Sequence, residues 1–157
     1  MTNKYSLFSL LIICITFNAC REDQPEQRSF EEQLAFDIEI IDNYLAENNI
    51  DATVDPSGLR YVINEPGQGA SANVDDTIIV GYEGKFLENG EVFDQNDSTE
   101  FPLNRLIQAW QIGIPLIQVG GSMTIYAPSG LCYGASSRPG IPANANMIFN
   151  LNLIGVE

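Results

Sequence analysis

The sequence predicts an α+β fold, in which an antiparallel sheet packs on one short helix and a further helix stands ahead of it. Three observations carry that expectation. Short apolar runs, several alternating at period two, follow one another from Leu59 to the C-terminus. An Asn-Gly pair separates two of them, the strongest short-range hairpin signal. A single short helical piece, "RLIQAWQIGI" (105–114), interrupts the strands and is closed by Pro115.

Taken in order, residues 1–19 read as an export leader. Lys4 supplies the positive start, and "SLFSLLIICITF" (6–17) is apolar but shorter than the roughly 20 residues that span a bilayer. It ends in "FNAC", which resembles a bacterial lipobox with Cys20 as the lipidated first residue of the mature chain. Residues 20–28 are polar and read as a lipidated tether. The segment 29–50 reads as a helix. Ser29 and Glu32 have capping-box spacing, and Phe30, Leu34, Ile38, Ile41 and Leu45 form one apolar stripe. That stripe suits docking or dimerisation of the helix as well as it suits packing on the following domain, 51–157. Within that domain "LRYVIN", "TIIVGYEGKFL", "EVFD", "SMTIYAP" and "NMIFNLNLIGV" read as strands. In the last of these Met147, Phe149, Leu151 and Leu153 share one face and Asn150 and Asn152 the other.

Composition removes several kinds of chemistry. There is no histidine, so Ser-His-Asp triads, Cys-His pairs and histidine metal sites are excluded. The chain has 21 acidic and 7 basic residues, a formal net charge of −14, which repels phosphate backbones and opposes nucleic-acid binding. Cys14 lies in the leader and Cys20 at the lipobox, so Cys132 alone remains and no internal disulfide is expected. With no histidine in the chain and Arg138 as its nearest sequence cation, Cys132 reads as a packing residue rather than a nucleophile. "DQNDSTE" (94–100) lacks the glycine and terminal glutamate of a calcium loop, and "GQGASANVDD" (67–76) ends in acids that oppose a nucleotide phosphate. No cofactor and no metal is expected. What remains is an apolar and aromatic set: Tyr82, Phe93, Ile107, Trp110, Tyr133, Ile141 and Phe149, with Asp94 beside one member.

"VGYEGKFLENGEVFDQ", "FPLNRLIQAW", "PSGLCYGASSRPGIP" and "NMIFNLNLI", in this order, resemble the FKBP-type peptidyl-prolyl cis-trans isomerases. With the lipobox and helix ahead of them, the chain looks like the exported lipoprotein forms found in Gram-negative bacteria. The resemblance implies an FKBP-like curved antiparallel β-sheet wrapped around a short α-helix, with an extra N-terminal helix. It implies that Tyr82 and Phe93 form pocket walls, that Asp94 is a polar contact to ligand, and that Trp110 is the floor. Leu106 and Ile107 match a Val-Ile pair whose second backbone N–H binds a substrate carbonyl. Tyr133 matches a tyrosine whose hydroxyl faces the bound peptide, Ile141 an isoleucine of the covering loop, and Phe149 an aromatic of the last strand. The implied partners are proline-containing polypeptides and FKBP-binding macrolides, with the membrane reached through the lipid on Cys20. The implied place is the cell envelope, lipid-anchored to the outer membrane, and a dimer through the N-terminal helix is the remaining partner expectation.

Peptide rotation needs neither a nucleophile nor a metal, so the missing histidines do not weaken this reading. Four features depart from the family's pattern. The Asp94 to Phe101 segment is shorter, with Thr99 where an aromatic often stands; Arg138 replaces a common histidine; the covering loop is a residue short at "GIPANA"; and Pro115 closes the short helix. A second reading keeps the fold without the catalysis, as a chaperone or as a structural lipoprotein of an envelope machine such as a gliding or secretion apparatus.

Overall fold

A computed structural model describes residues 28–157. The leader over 1–19, the lipidation at Cys20 and the tether as far as residue 27 lie outside the described residues. The first helix, α1, spans Phe30–Glu47. Ser29 caps it through a complete capping box: its hydroxyl accepts from the Glu32 N–H, and the Glu32 carboxylate accepts from the Ser29 N–H at 2.8 Å. The helix ends before Asn49, which takes a left-handed turn at φ 55°.

Six strands follow: β1 (Thr53–Val54), β2 (Arg60–Glu65), β3 (Thr77–Phe86), β4 (Val92–Pro102), β5 (Ser122–Ala127) and β6 (Met147–Val156). They form one sheet in the order β1-β2-β5-β6-β3-β4, with every neighbouring pair antiparallel. The second helix, α2 (Gln108–Gly113), packs on the inner face, where Ile78, Val80, Met123, Ile125, Leu151 and Leu153 are buried with Ile114 and Trp110. The α+β expectation and its sheet-on-helix arrangement therefore hold.

Several local expectations are corrected. The piece read as one helix over 105–114 is a six-residue α-helix between two 3₁₀ turns, Leu103–Arg105 and Ile114–Leu116, so Pro115 sits inside the second turn instead of stopping the first helix. The strand read as "EVFD" continues to Pro102, because its polar residues lie on an edge strand with one side open to solvent. The Asn-Gly signal does mark a hairpin, but its loop runs from Leu87 to Glu91. Only Gly90 has positive φ, at 71°, and the loop is closed by the Phe86 N–H donating to the Glu91 carbonyl at 3.0 Å. β1 is too short to have left a periodic signal.

The apolar stripe of α1 is used within the chain. Ile41 and Leu45 are buried against Tyr126 and Ile148, on strands β5 and β6, and against Leu87 at the start of the hairpin loop. Leu34 and Ile38 crowd the backbone at Gly58. Arg60 of β2 forks onto Asp42 with two bonds of 2.8 and 2.9 Å, a bidentate tie between helix and sheet. Leu34, Ile38, Ile41 and Leu45 of the stripe thus pack on residues of 51–157, while Phe30 is 64% exposed.

Candidate functional site

The inner face at one end of the sheet opens into a cavity of about 130 Å³, lined by Tyr82, Phe93, Asp94, Phe101, Leu106, Ile107, Trp110, Tyr133 and Phe149. Strand alternation supplies two of these side chains. On β3, Ile78, Val80, Tyr82 and Gly84 share the inward face, and β6 presents Phe149 between inward Met147 and Leu151. β4 carries two register shifts against β3, one between Val80 and Tyr82 and one between Gly84 and Lys85. The second is a bulge that aims the Phe93 ring across Gly84. A Cβ at Gly84 would stand 2.7 Å from Phe93 Cζ and 3.0 Å from Phe149 Cε1. Only a residue without a side chain lets both rings meet there.

Trp110 lies at the centre of the aromatic contacts. Its ring is edge-on to Tyr82 at 5.2 Å, to Phe149 at 5.6 Å and to Phe101 at 6.4 Å between centroids. Phe149 is edge-on to Phe93 at 5.8 Å. Such edge-to-face contacts fix ring orientation as well as burying area. Trp110 is 5% exposed, and its Nε1 has no partner among the described residues. The backbone N–H of Trp110 donates to the Ile107 carbonyl at 3.0 Å, which ties the ring to the start of α2. The Ile107 N–H has no acceptor among the described residues, as is common at a helix start.

Polar groups at the cavity are few. The Tyr82 hydroxyl donates to Asp94 Oδ2 at 2.8 Å. Burial first, and then the Asp94 carboxylate at the hydroxyl, push the Tyr82 phenol up to about 12. An unfolded tyrosine titrates near 10, so between about pH 10 and 12 the folded chain keeps a proton that the unfolded chain has lost. This adds stability that is fully present below pH 10 and lost as the pH rises through that window. Denaturation midpoints are therefore expected to fall more steeply from pH 10 to 12 in the wild type than in Tyr82→Phe. Equal slopes would contradict the assignment.

Tyr133 stands on the covering loop (129–145), and burial pushes its phenol up too. The Arg138 guanidinium lies 4.7 Å from the centre of the Tyr133 ring, a cation–π contact available to this residue in place of a histidine. Cys132 is turned away from reactivity. Burial, followed by the Asp37 carboxylate, pushes its thiol up and disfavours the thiolate.

Eight of the nine pocket residues expected from the sequence line this cavity, and Ile141 does not. It lies instead along a separate open groove of about 760 Å³ between the covering loop, the β3–β4 hairpin loop and Ile40 of α1. The cause is the turn at Gly140, φ 79°, closed by paired bonds of 2.9 Å between Arg138 and Ile141. Phe101 lines the cavity without having been expected there. Its signal was present: it pairs with inward Ile78 once β4 is read as one strand to Pro102.

A family model described as FKBP-type peptidyl-prolyl cis-trans isomerase matches residues 69–154. The chain belongs to this FKBP-type family. A peptidyl-prolyl cis-trans isomerase Mip of Coxiella burnetii is 38% identical over 106 residues, 64% of this chain and 46% of that protein. The FKBP-type isomerase FkpA of Aeromonas hydrophila is 36% identical over 105 residues, 64% of this chain and 39% of that protein. The chain thus spans less than half the length of these curated relatives. Among solved FKBP-type structures, FkpA from Escherichia coli superposes with a TM-score of 0.70 at 28% identity, covering 81% of this chain and 62% of that one. The matched segment takes in every residue that lines the aromatic cavity, and α1, β1 and β2 precede it.

Proposed function

We propose that this protein is a peptidyl-prolyl cis-trans isomerase that takes the proline of a polypeptide into the aromatic cavity. The observation that carries the reading is the cavity itself: rings on several sides, one buried tryptophan beneath, and a single hydrogen-bonded Tyr82–Asp94 pair at the wall. About 130 Å³ is the volume of about four liquid waters, room for one small ring. Rotation about a peptide bond faces a barrier of about 18–20 kcal/mol, and Xaa-Pro bonds take tens to hundreds of seconds. The planar amide is more dipolar than the twisted one, so transfer from water to an apolar wall disfavours the planar form more. Binding that favours the twisted geometry lowers the barrier without any proton transfer or covalent step. The free Ile107 N–H and the Tyr133 hydroxyl serve as donors to carbonyls of the bound chain, and Asp94 is held in place by Tyr82. FKBP-binding macrolides would compete for the same walls.

The same reading makes exported proteins the substrates. The leader-like run over 6–17 and the "FNAC" sequence support a chain lipidated at Cys20 and held in the cell envelope, on the outer membrane of a Gram-negative bacterium. Proline-limited refolding of a model protein is the direct test. The wild type is expected to accelerate the slow phase, and Asp94→Val and Tyr133→Phe each to lower that acceleration by about tenfold or more. Suppression of aggregation with no acceleration, unchanged in both variants, would favour a non-catalytic chaperone.

A further inference from the structure

Asp37 of α1 is buried at 1% exposure and pairs with no cation among the described residues. Its Oδ2 accepts the Ser129 N–H at 2.9 Å and the Ser129 hydroxyl at 2.5 Å, and its Oδ1 accepts from Gln33 Nε2 at 2.6 Å. Ser129, itself 1% exposed, opens the covering loop, and its N–H is shared with Oδ1 of Asn146, the residue just past the loop's other end, at 3.0 Å. The Ser129 carbonyl in turn accepts the N–H groups of Cys132 and Gly134, both at 2.9 Å, which bracket Tyr133. Phe30, at the start of α1, lies against Gly130, where a Cβ would come within 2.8 Å of its ring. One carboxylate thus holds the neck of the loop, and the neck holds the turn that carries Tyr133.

An apolar residue at position 37 would dock the helix more cheaply, because burying a carboxylate without a counter-charge is costly. What the carboxylate adds is a fixed geometry at Ser129. We propose that Asp37 is a positioning residue of the site: α1, which lies outside the family-matched segment, sets the covering loop so that Tyr133 keeps its place in the cavity wall. The consequence for rate rests on the isomerase reading above, whereas the consequence for loop geometry does not.

The test uses the full chain and three variants. Asp37→Ala is expected to lower kcat/KM on an Xaa-Pro peptide by about tenfold. Asp37→Asn retains an acceptor of the same shape and is expected to restore most of that loss. Asp42→Ala breaks the ion pair that ties α1 to Arg60 of β2, about 7.5 Å along the helix from Asp37, and is expected to lower the melting temperature without lowering kcat/KM. Amide hydrogen exchange at Cys132 and Gly134 should quicken by about tenfold in Asp37→Ala and stay unchanged in Asp42→Ala. Should Asp37→Ala not fold, Ser129→Ala removes only the hydroxyl's bond and is expected to lose about threefold in kcat/KM, with faster exchange at the same two amides. A folded Asp37→Ala, or failing it Ser129→Ala, with wild-type exchange at these amides would overturn the proposal. Equal losses in Asp37→Ala and Asp42→Ala would overturn it too, since they would mark general docking of the helix. A wild type without isomerase activity would remove the functional reading, and the exchange measurement would still decide the positioning.

Discussion

Trp110→Ala is expected to lower the isomerisation rate by at least about a hundredfold and stability by about 3–5 kcal/mol. The two losses have one cause. The ring is 5% exposed, forms the floor of the cavity, and meets Tyr82, Phe149 and Phe101 edge-on, so truncation leaves three aromatic neighbours without their common surface. Trp110→Phe separates them. It keeps an aromatic floor with less reach, and is expected to fold with a rate about tenfold below wild type. Urea denaturation gives the stability change and a peptide assay gives the rate. A folded Trp110→Ala protein with the wild-type rate would show that the floor is not used.

The second large effect is expected from one added methyl group. In Gly84→Ala the new Cβ would sit 2.7 Å from Phe93 Cζ, closer than packed carbon atoms tolerate, and 3.0 Å from Phe149 Cε1, a tight contact that also requires the ring to give. Both rings are held by further contacts, Phe93 by Phe86 at 4.9 Å and Phe149 by Trp110 at 5.6 Å, so neither moves alone. Overpacking of this kind costs about 1–3 kcal/mol. The activity loss is expected to exceed what that destabilisation explains, about tenfold or more at a temperature where the variant is fully folded, because the displaced Phe93 is a cavity wall. Aromatic-ring proton shifts of Phe93 and Phe149 that match the wild type would contradict the crowding account.

Much of this was legible in the sequence for physical reasons. Period-two alternation revealed β6 because one face of that strand is buried and the other carries Asn152 in solvent. The capping box revealed the start of α1 because it is a local hydrogen-bond exchange needing only residues 29 to 32. Tyr82, Phe93, Trp110, Tyr133 and Phe149 were readable because motif order carries tertiary information that periodicity lacks. Other features depend on contacts between distant segments. Phe101 was missed because the polar run before it read as a break, whereas a bulged edge strand runs straight through. The place of Ile141 along the open groove depends on the Gly140 turn, which its neighbours in sequence do not reveal. The partnership of Asp37 with Ser129 spans 92 positions and leaves no local sign, since a lone aspartate in an acidic helix looks like solvated surface.

The single tryptophan of the chain is the floor of the cavity, so one experiment can read binding and catalysis together. The measurement is nuclear magnetic resonance exchange between the cis and trans forms of an Xaa-Pro peptide, with Trp110 fluorescence followed on the same samples. The predicted result is that substoichiometric wild-type protein brings cis–trans interconversion from tens of seconds into the exchange regime, that the peptide perturbs the Trp110 emission, and that Trp110→Phe weakens both effects. An interconversion rate unchanged by the folded wild-type protein, whatever the fluorescence does, would contradict the account.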